Sequence, residues 1–312
     1  MELFRHDTRI DFIRHRRIAY ALSAIVMIAC VVTLLVRGLA FGIDFTGGLL
    51  LEVGYAQPVD LGEVRAGLGR AGIEGALVQH LGSSSDVLIR VPPGEDATRA
   101  DVGDQVMRAL REGTERTIDL RRVEFVGPQV GQELVENGVL AVLIALGAIL
   151  VYIWLRFERR LAIGAVAATV HDPVLILGFF ALTGMDFDLS VVAAILAVIG
   201  YSVNDTIVVF DRIRENFRRM RRGSPAEIIN TSVNQTLSRT IMTSGTTLLV
   251  VVALWIFGGP PLRGFSVALF LGILVGTYSS IYVASATALD LGLNRADMLP
   301  PQPETGEPPE RP

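Results

Sequence analysis

The sequence predicts a polytopic α-helical membrane protein, with six transmembrane helices and one small α+β domain between the first and second of them. Three observations predict it. Of the 312 residues 51% are apolar and only 19% charged, against about 25% charged in ordinary soluble domains, which argues against a wholly soluble protein. Six apolar runs meet or approach the roughly 20 helical residues that a hydrocarbon layer about 30 Å thick demands. Between the first and second runs lies a long stretch, residues 37–137, of soluble composition.

The elements follow in order. Residues 1–17 carry Arg5, Arg9, Arg14, Arg16 and Arg17 ahead of the first span, Ile18–Val36. That run is too long for the apolar core of a signal peptide and no A-x-A cleavage site follows it, so it is a retained anchor. In 37–137, the segments Leu49–Tyr55, Ala76–Leu81, Val87–Val91 and Ile118–Val126 read as strands. Val59–Ala71 and Thr98–Glu112 read as helices, with breaks at Gly82-Ser83-Ser84-Ser85 and Pro92-Pro93-Gly94. Four strands and two helices suit a small α+β sandwich. The remaining spans are Gly138–Leu155, Leu161–Thr183, Leu189–Phe210, Ile241–Phe257 and Ser266–Leu289. The fifth is the shortest and crosses only if its flanks also enter the membrane. Residues 290–312, rich in proline and glutamate beyond Leu299, are expected to be a disordered tail.

Charge sets orientation. Arginines cluster before the first span, at Arg156, Arg159 and Arg160 after the second, and from Arg212 to Arg222 after the fourth, whereas the alternate short loops are poor in them. The positive-inside rule then places both termini in the cytoplasm and 37–137 outside. All 28 basic residues are arginine, the net charge is −4 and no long single-sign block occurs, so no nucleic-acid partner is expected. The single cysteine, Cys30, excludes an intramolecular disulfide and a cysteine metal site, and reads as a small buried hydrophobe.

Ionisable residues in the spans carry the functional signal. An aspartate at the centre of a membrane helix costs about 2.5–3.5 kcal/mol. His171, Asp172 and Pro173 fall together ten residues into the third span, roughly 15 Å deep. Asn204 and Asp205 lie in the fourth span towards its cytoplasmic end, and Arg239 stands at the entrance of the fifth, followed by Thr240, Thr243, Ser244, Thr246 and Thr247. Similar depth makes Asp205 and Arg239 a natural charge pair, since an unpaired ion there is costly. Two readings fit each group. Arg239 can simply snorkel, which the shorter Asp205 cannot do far. His171-Asp172 is either a structural pair at a proline kink or part of a proton relay. Gly272 and Gly276, followed by Ser279 and Ser280, provide a small-residue stripe for close helix packing. Gly47-Gly48 reads as a turn before the first strand.

Four motifs bear a resemblance. They are Gly42-Ile43-Asp44-Phe45-Thr46-Gly47-Gly48, Val126-Gly127-Pro128-Gln129-Val130-Gly131, the run from Gly200 through Asn204-Asp205 to Asn216, and Ser232 to Gly245 with Asn234-Gln235-Thr236-Leu237-Ser238-Arg239-Thr240. Over Ile18 to about Leu289 the chain resembles the SecF family of the bacterial SecD–SecF protein-export machinery. The resemblance implies half of an RND-type transporter, with a ferredoxin-like outer domain, in the bacterial inner membrane. It implies SecD, the SecYEG channel, YajC and unfolded preproteins as partners, with the proton-motive force assisting a late stage of translocation. It carries the family's proton-pathway aspartate onto Asp205 and its arginine onto Arg239, and a His-Asp motif of the third span onto His171 and Asp172, with Asn204 beside Asp205. Pro173 after that motif is unexpected. No nucleotide-binding motif or metal-ligand cluster stands in the sequence, so no enzyme activity and no cofactor other than the proton gradient is expected. Two alternatives are a small-molecule or lipid exporter half and a non-transporting translocase scaffold.

Overall fold

The structure, a computed structural model, describes residues 9–92, 99–112, 117–220 and 222–298. Among them are six helical stretches long and apolar enough to cross a membrane. Arg5, the Pro93-Gly94 break, Thr98 and residues 299–312 of the expected tail lie outside the described residues.

The first membrane helix, α1 (Arg16–Arg37), leads into a two-residue strand β1 (Ala40–Phe41) and one helical turn α2 (Ile43–Thr46). The α+β domain follows as β2 (Gly48–Tyr55), α3 (Leu61–Arg70), β3 (Leu77–His80), β4 (Asp86–Val91), α4 (Arg99–Glu112) and β5 (Ile118–Val126). Its sheet runs β3-β4-β2-β5 with every neighbour antiparallel, the ferredoxin-like βαββαβ arrangement. β2 is central and buried along its whole length, so it reads as a continuous apolar run rather than an alternating one. Leu49, Leu51 and Val53 face α3 and α4 in one core, while Leu50 joins Ile43 and Leu88 on the opposite face. Asp60 caps α3, accepting from the Gly62 and Glu63 amides.

The chain re-enters the bundle through α5 (Pro128–Arg156), continues with α6 (Arg159–Thr183) and a short strand β6 (Asp186–Phe187), and then α7 (Leu189–Arg219) and α8 (Pro225–Phe257). The sixth crossing is α9 (Arg263–Ser279), a π-helical turn Ser280–Ser285, and α10 (Ala286–Asp290). Helices α6, α7 and α9 form the interior, while α1, α5 and α8 turn broad apolar faces outward, among them Leu35, Leu155 and Phe257. Gly178 seats Cys30 of α1, which is half-buried rather than fully enclosed. α6 runs on through Pro173 without a break.

Three boundaries differ from the hydropathy reading. α5 begins at Pro128, ten residues before the apolar run, because a proline at the first helical position is pre-set for helix. α7 and α8 run on past their apolar runs to Arg219 and from Pro225, so 211–240 is a helical hairpin rather than a loop. It has its own core of Ile213, Phe217, Ile228, Ile229 and Val233. Ser224 and Glu227 form a capping box at its turn, and Asn216 donates to Ser232 and Gln235, each at 2.9 Å. Asn230 and Asn234 hold Ile10 of the N-terminal segment. Finally, the expected tail does not begin at residue 290: Leu293 and Met298 are buried, and Asp297 pairs with Arg160. Ion pairs Arg156–Asp211 and Arg214–Glu158 tie α5, α6 and α7 at the same end.

Candidate functional site

Two carboxylates lie inside the bundle, each held by hydroxyls from neighbouring helices. Asp205 sits midway along α7, because that helix continues to Arg219; it is not near a helix end as hydropathy alone places it. Its Oδ1 accepts from Thr240 of α8 at 2.7 Å and its Oδ2 from Ser280 at 2.6 Å. Asp172 of α6 is fully enclosed, at 0% exposure. Its Oδ2 accepts from Ser202 of α7 and from Ser279 of α9 at 2.9 Å, and its Oδ1 meets His171 Nδ1 at 2.9 Å. His171 lies against the Tyr278 ring, and its Nε2 is buried with no hydrogen-bond partner among the described residues.

The clusters share two elements. Ser202 and Asp205 are three residues apart on α7, so they occupy one face about 4.5 Å apart along its axis. Ser279 and Ser280 are consecutive. Successive helical residues point in different directions, which lets Ser279 serve Asp172 while Ser280 serves Asp205. They stand where α9 widens into the π-helical turn, and the Ser285 hydroxyl bonds the Ser280 carbonyl at 2.9 Å. Such turns are local insertions that often mark functional sites. Gly272 and Gly276 bring α9 close enough: a Cβ at Gly276 would meet Ser202 Cβ at 3.0 Å, and one at Gly272 would collide with Val198.

The expected charge pair is not formed by contact. Among the described residues no ion pair joins Asp205 to Arg239, which is exposed. The reason is helical geometry: Thr240 faces Asp205, so Arg239, one residue earlier, points elsewhere. Asn204 is likewise exposed beside Asp205 and faces out of the bundle. His171 and Asp172 do meet. Of the hydroxyls after Arg239, Thr240 reaches Asp205 and Ser244 bonds Tyr201 and Thr277. Thr243, Thr246 and Thr247 bond back to their own helix. Sequence reasoning missed Ser202, Ser279 and Ser280 as carboxylate partners. The three-residue spacing of Ser202 and Asp205 was a usable signal; nothing local announced the π-helical turn.

A six-span bundle with hydroxyl-held carboxylates in its interior and a ferredoxin-like domain between its first two spans defines a polytopic membrane protein of the transporter-half type. Residues 105–294 match the family model for the protein export membrane protein SecD/SecF, C-terminal, and residues 32–59 match the SecD/SecF GG motif. The chain is 50% identical over 303 residues to the protein translocase subunit SecF of Vibrio alginolyticus, covering 97% of this chain and 96% of that one. To the SecF subunit of Escherichia coli O157:H7 it is 47% identical over 301 residues, covering 96% and 93%. The chain therefore belongs to the SecD/SecF family, among the SecF translocase subunits, and is a multi-pass membrane component of protein export. Among solved structures it is similar to SecDF, a translocon-associated membrane protein from Thermus thermophilus, with 37% identity and a TM-score of 0.83, covering 93% of this chain. It spans 39% of that SecDF chain's length. At the same identity and coverage, SecDF in a super-membrane-facing form gives a TM-score of 0.67.

Proposed function

We propose that this chain couples the proton-motive force to preprotein export, with Asp205 as the proton carrier. The observation that supports this most strongly is the setting of Asp205: a carboxylate inside a membrane bundle, held by two neutral hydroxyls and by no contacting cation among the described residues. A permanently charged aspartate is expensive there, whereas a hydroxyl can donate to the ionised acid or accept from the neutral one. Taking up a proton turns one Asp205 oxygen from acceptor to donor. Thr240 or Ser280 must then reorient, and α8 or the π-helical turn shifts with it.

Asp172 and His171 form the inner member of the relay, linked to Asp205 through Ser202 and the Ser279-Ser280 pair. Arg239 and Asn204 stand on the outward face of the same depth, where a second subunit of the SecD type completes the path. The SecYEG channel, YajC and unfolded preproteins are the remaining partners in this reading. Both termini lie in the cytoplasm and the α+β domain outside the inner membrane, as the arginine distribution requires. The chain acts as a transport component without enzyme activity or cofactor. Each proton crossing 100 mV delivers about 2.3 kcal/mol, enough to bias a domain movement.

The test is late-stage preprotein translocation in inverted vesicles, with and without a proton gradient, at matched levels of wild type and Asp205→Asn. Loss of the gradient-dependent component alone is the expected result. Equal translocation by both proteins would overturn the assignment in favour of a scaffold.

A further inference from the structure

If Asp205 moves protons, its displacement must reach the domain outside the membrane. We infer that Asp44, seconded by Arg90, is the positioning residue that makes this connection, by fastening the root of the α+β domain to the first turn of α7. This rests on the proton-coupling reading and adds its mechanical outlet.

The first turn of a helix leaves its N–H groups without partners inside the helix, and a carboxylate there also meets the positive end of the helix dipole. Asp188 fills part of this need locally, its Oδ1 accepting from the Val191 amide at 2.9 Å. The Leu189 N–H instead donates to Asp44 Oδ2 at 3.0 Å, across 145 positions of sequence. Asp44 lies in α2, the turn that leads directly into β2. The helix carrying Asp205 is thus bonded at its first residue to the root of the domain's central strand.

Other contacts close the same joint. β1 and β6 pair in parallel, Ala40 with Asp186 and Phe41 with Phe187, and the Gly42 amide donates to the Phe187 carbonyl at 2.8 Å. Arg90, from β4, reaches Asp186 at 2.7 Å and the Phe41 carbonyl at 2.8 Å. The Phe45 and Phe187 rings stack at 5.9 Å, and Phe180 of α6 packs edge-on to Phe187. β6 connects α6 to α7, so the helices that carry Asp172 and Asp205 both end in the segment that this joint grips. From the joint itself, at Asp44, Arg90 and Asp186, a cleft of about 590 Å³ opens between the sheet, at Glu52 and Gln79, and the bundle, at Arg263. The joint therefore forms one wall of the space between the sheet and the bundle.

The Asp44–Leu189 bond can be removed from either side. Asp44→Ala deletes the acceptor, and Leu189→Pro deletes the donor at a first helical position, which proline tolerates. In inverted vesicles holding the full chain with its translocase partners, each variant is expected to lower gradient-dependent translocation about tenfold, as loss of a hydrogen bond to a charged group predicts. The double variant should lose no more than either single, because both remove one bond, and Asp44→Asn, which keeps an acceptor oxygen, should restore most of the activity. Hydrogen exchange supplies a readout that a merely structural role would not move: Asp205→Asn should alter exchange across residues 40–48 in the parent but not in the Leu189→Pro background. Parental translocation by both Asp44→Ala and Leu189→Pro, beside an inactive Asp205→Asn, would overturn the joint alone. Fully active Asp205→Asn beside inactive bond variants would overturn the proton assignment and leave the joint standing.

Discussion

Asp172 and Asp205 are one helical turn apart in depth and both accept from hydroxyls, yet their surroundings differ. Asp172 has no exposed surface and is enclosed by α6, α7 and α9, with an imidazole and two serines on its oxygens. Asp205 retains 7% exposure, takes one hydroxyl from α8 and one from the π-helical turn, and neighbours the outward-facing Asn204 and Arg239. Three polar groups around a fully enclosed carboxylate make a network that holds helices together. Two neutral hydroxyls on a buried carboxylate that keeps a small exposed edge make the setting on which the proton-carrier proposal rests. The difference teaches that two buried acids in one bundle can be told apart by the chemistry of their partners, which burial alone does not report.

Substitutions can break this comparison. The largest effect is expected for Asp205→Asn, which should abolish the gradient-dependent part of translocation with the chain still inserted at its normal level, read in inverted vesicles. Next, Asp172→Ala should cost about 3–5 kcal/mol of folding stability, because it strands the buried groups that bond it; thermal unfolding in detergent measures this. Asp205→Ala should cost only about 1–3 kcal/mol in the same assay, so equal losses at the two sites would erase the distinction. Ser280→Ala should destabilise by about 1 kcal/mol and weaken gradient-dependent translocation more than Ser279→Ala does. Arg239→Met should change stability least, within about 0.5 kcal/mol as for an exposed residue, while lowering gradient-dependent translocation; parental activity in that variant would reduce Arg239 to an anchor.

Much of this was legible before any fold was known. Residues 48–55 and 118–126 form strands that the apolar runs and turn residues already outlined, and the aspartates of the spans stood out by the cost of charge in lipid. That Asp205 and Arg239 do not touch was not, because matching depth says nothing of rotation about a helix axis, and Thr240 occupies the facing position instead. The extension of α7 and α8 past the membrane was hidden for a related reason: hydropathy reports a solvent, whereas Phe217, Ile228 and Val233 are buried against one another in an otherwise polar hairpin.

By itself the sequence determined the class of the protein, six apolar spans around a soluble insert, because a continuous apolar run of that length satisfies its backbone in lipid as a helix and that constraint acts run by run. It also determined which ionisable groups lie within the spans. Only the tertiary structure decided what those groups touch. Ser202, Ser279 and Ser280 become carboxylate partners because Gly272 and Gly276 let α9 approach α7 and a π-helical turn sets the rotation that follows. Asp44 becomes a cap for α7 because β1 and β6, far apart along the chain, lie side by side with Ala40 paired to Asp186. Such contacts depend on helix rotation and long-range packing, and local pattern carries neither.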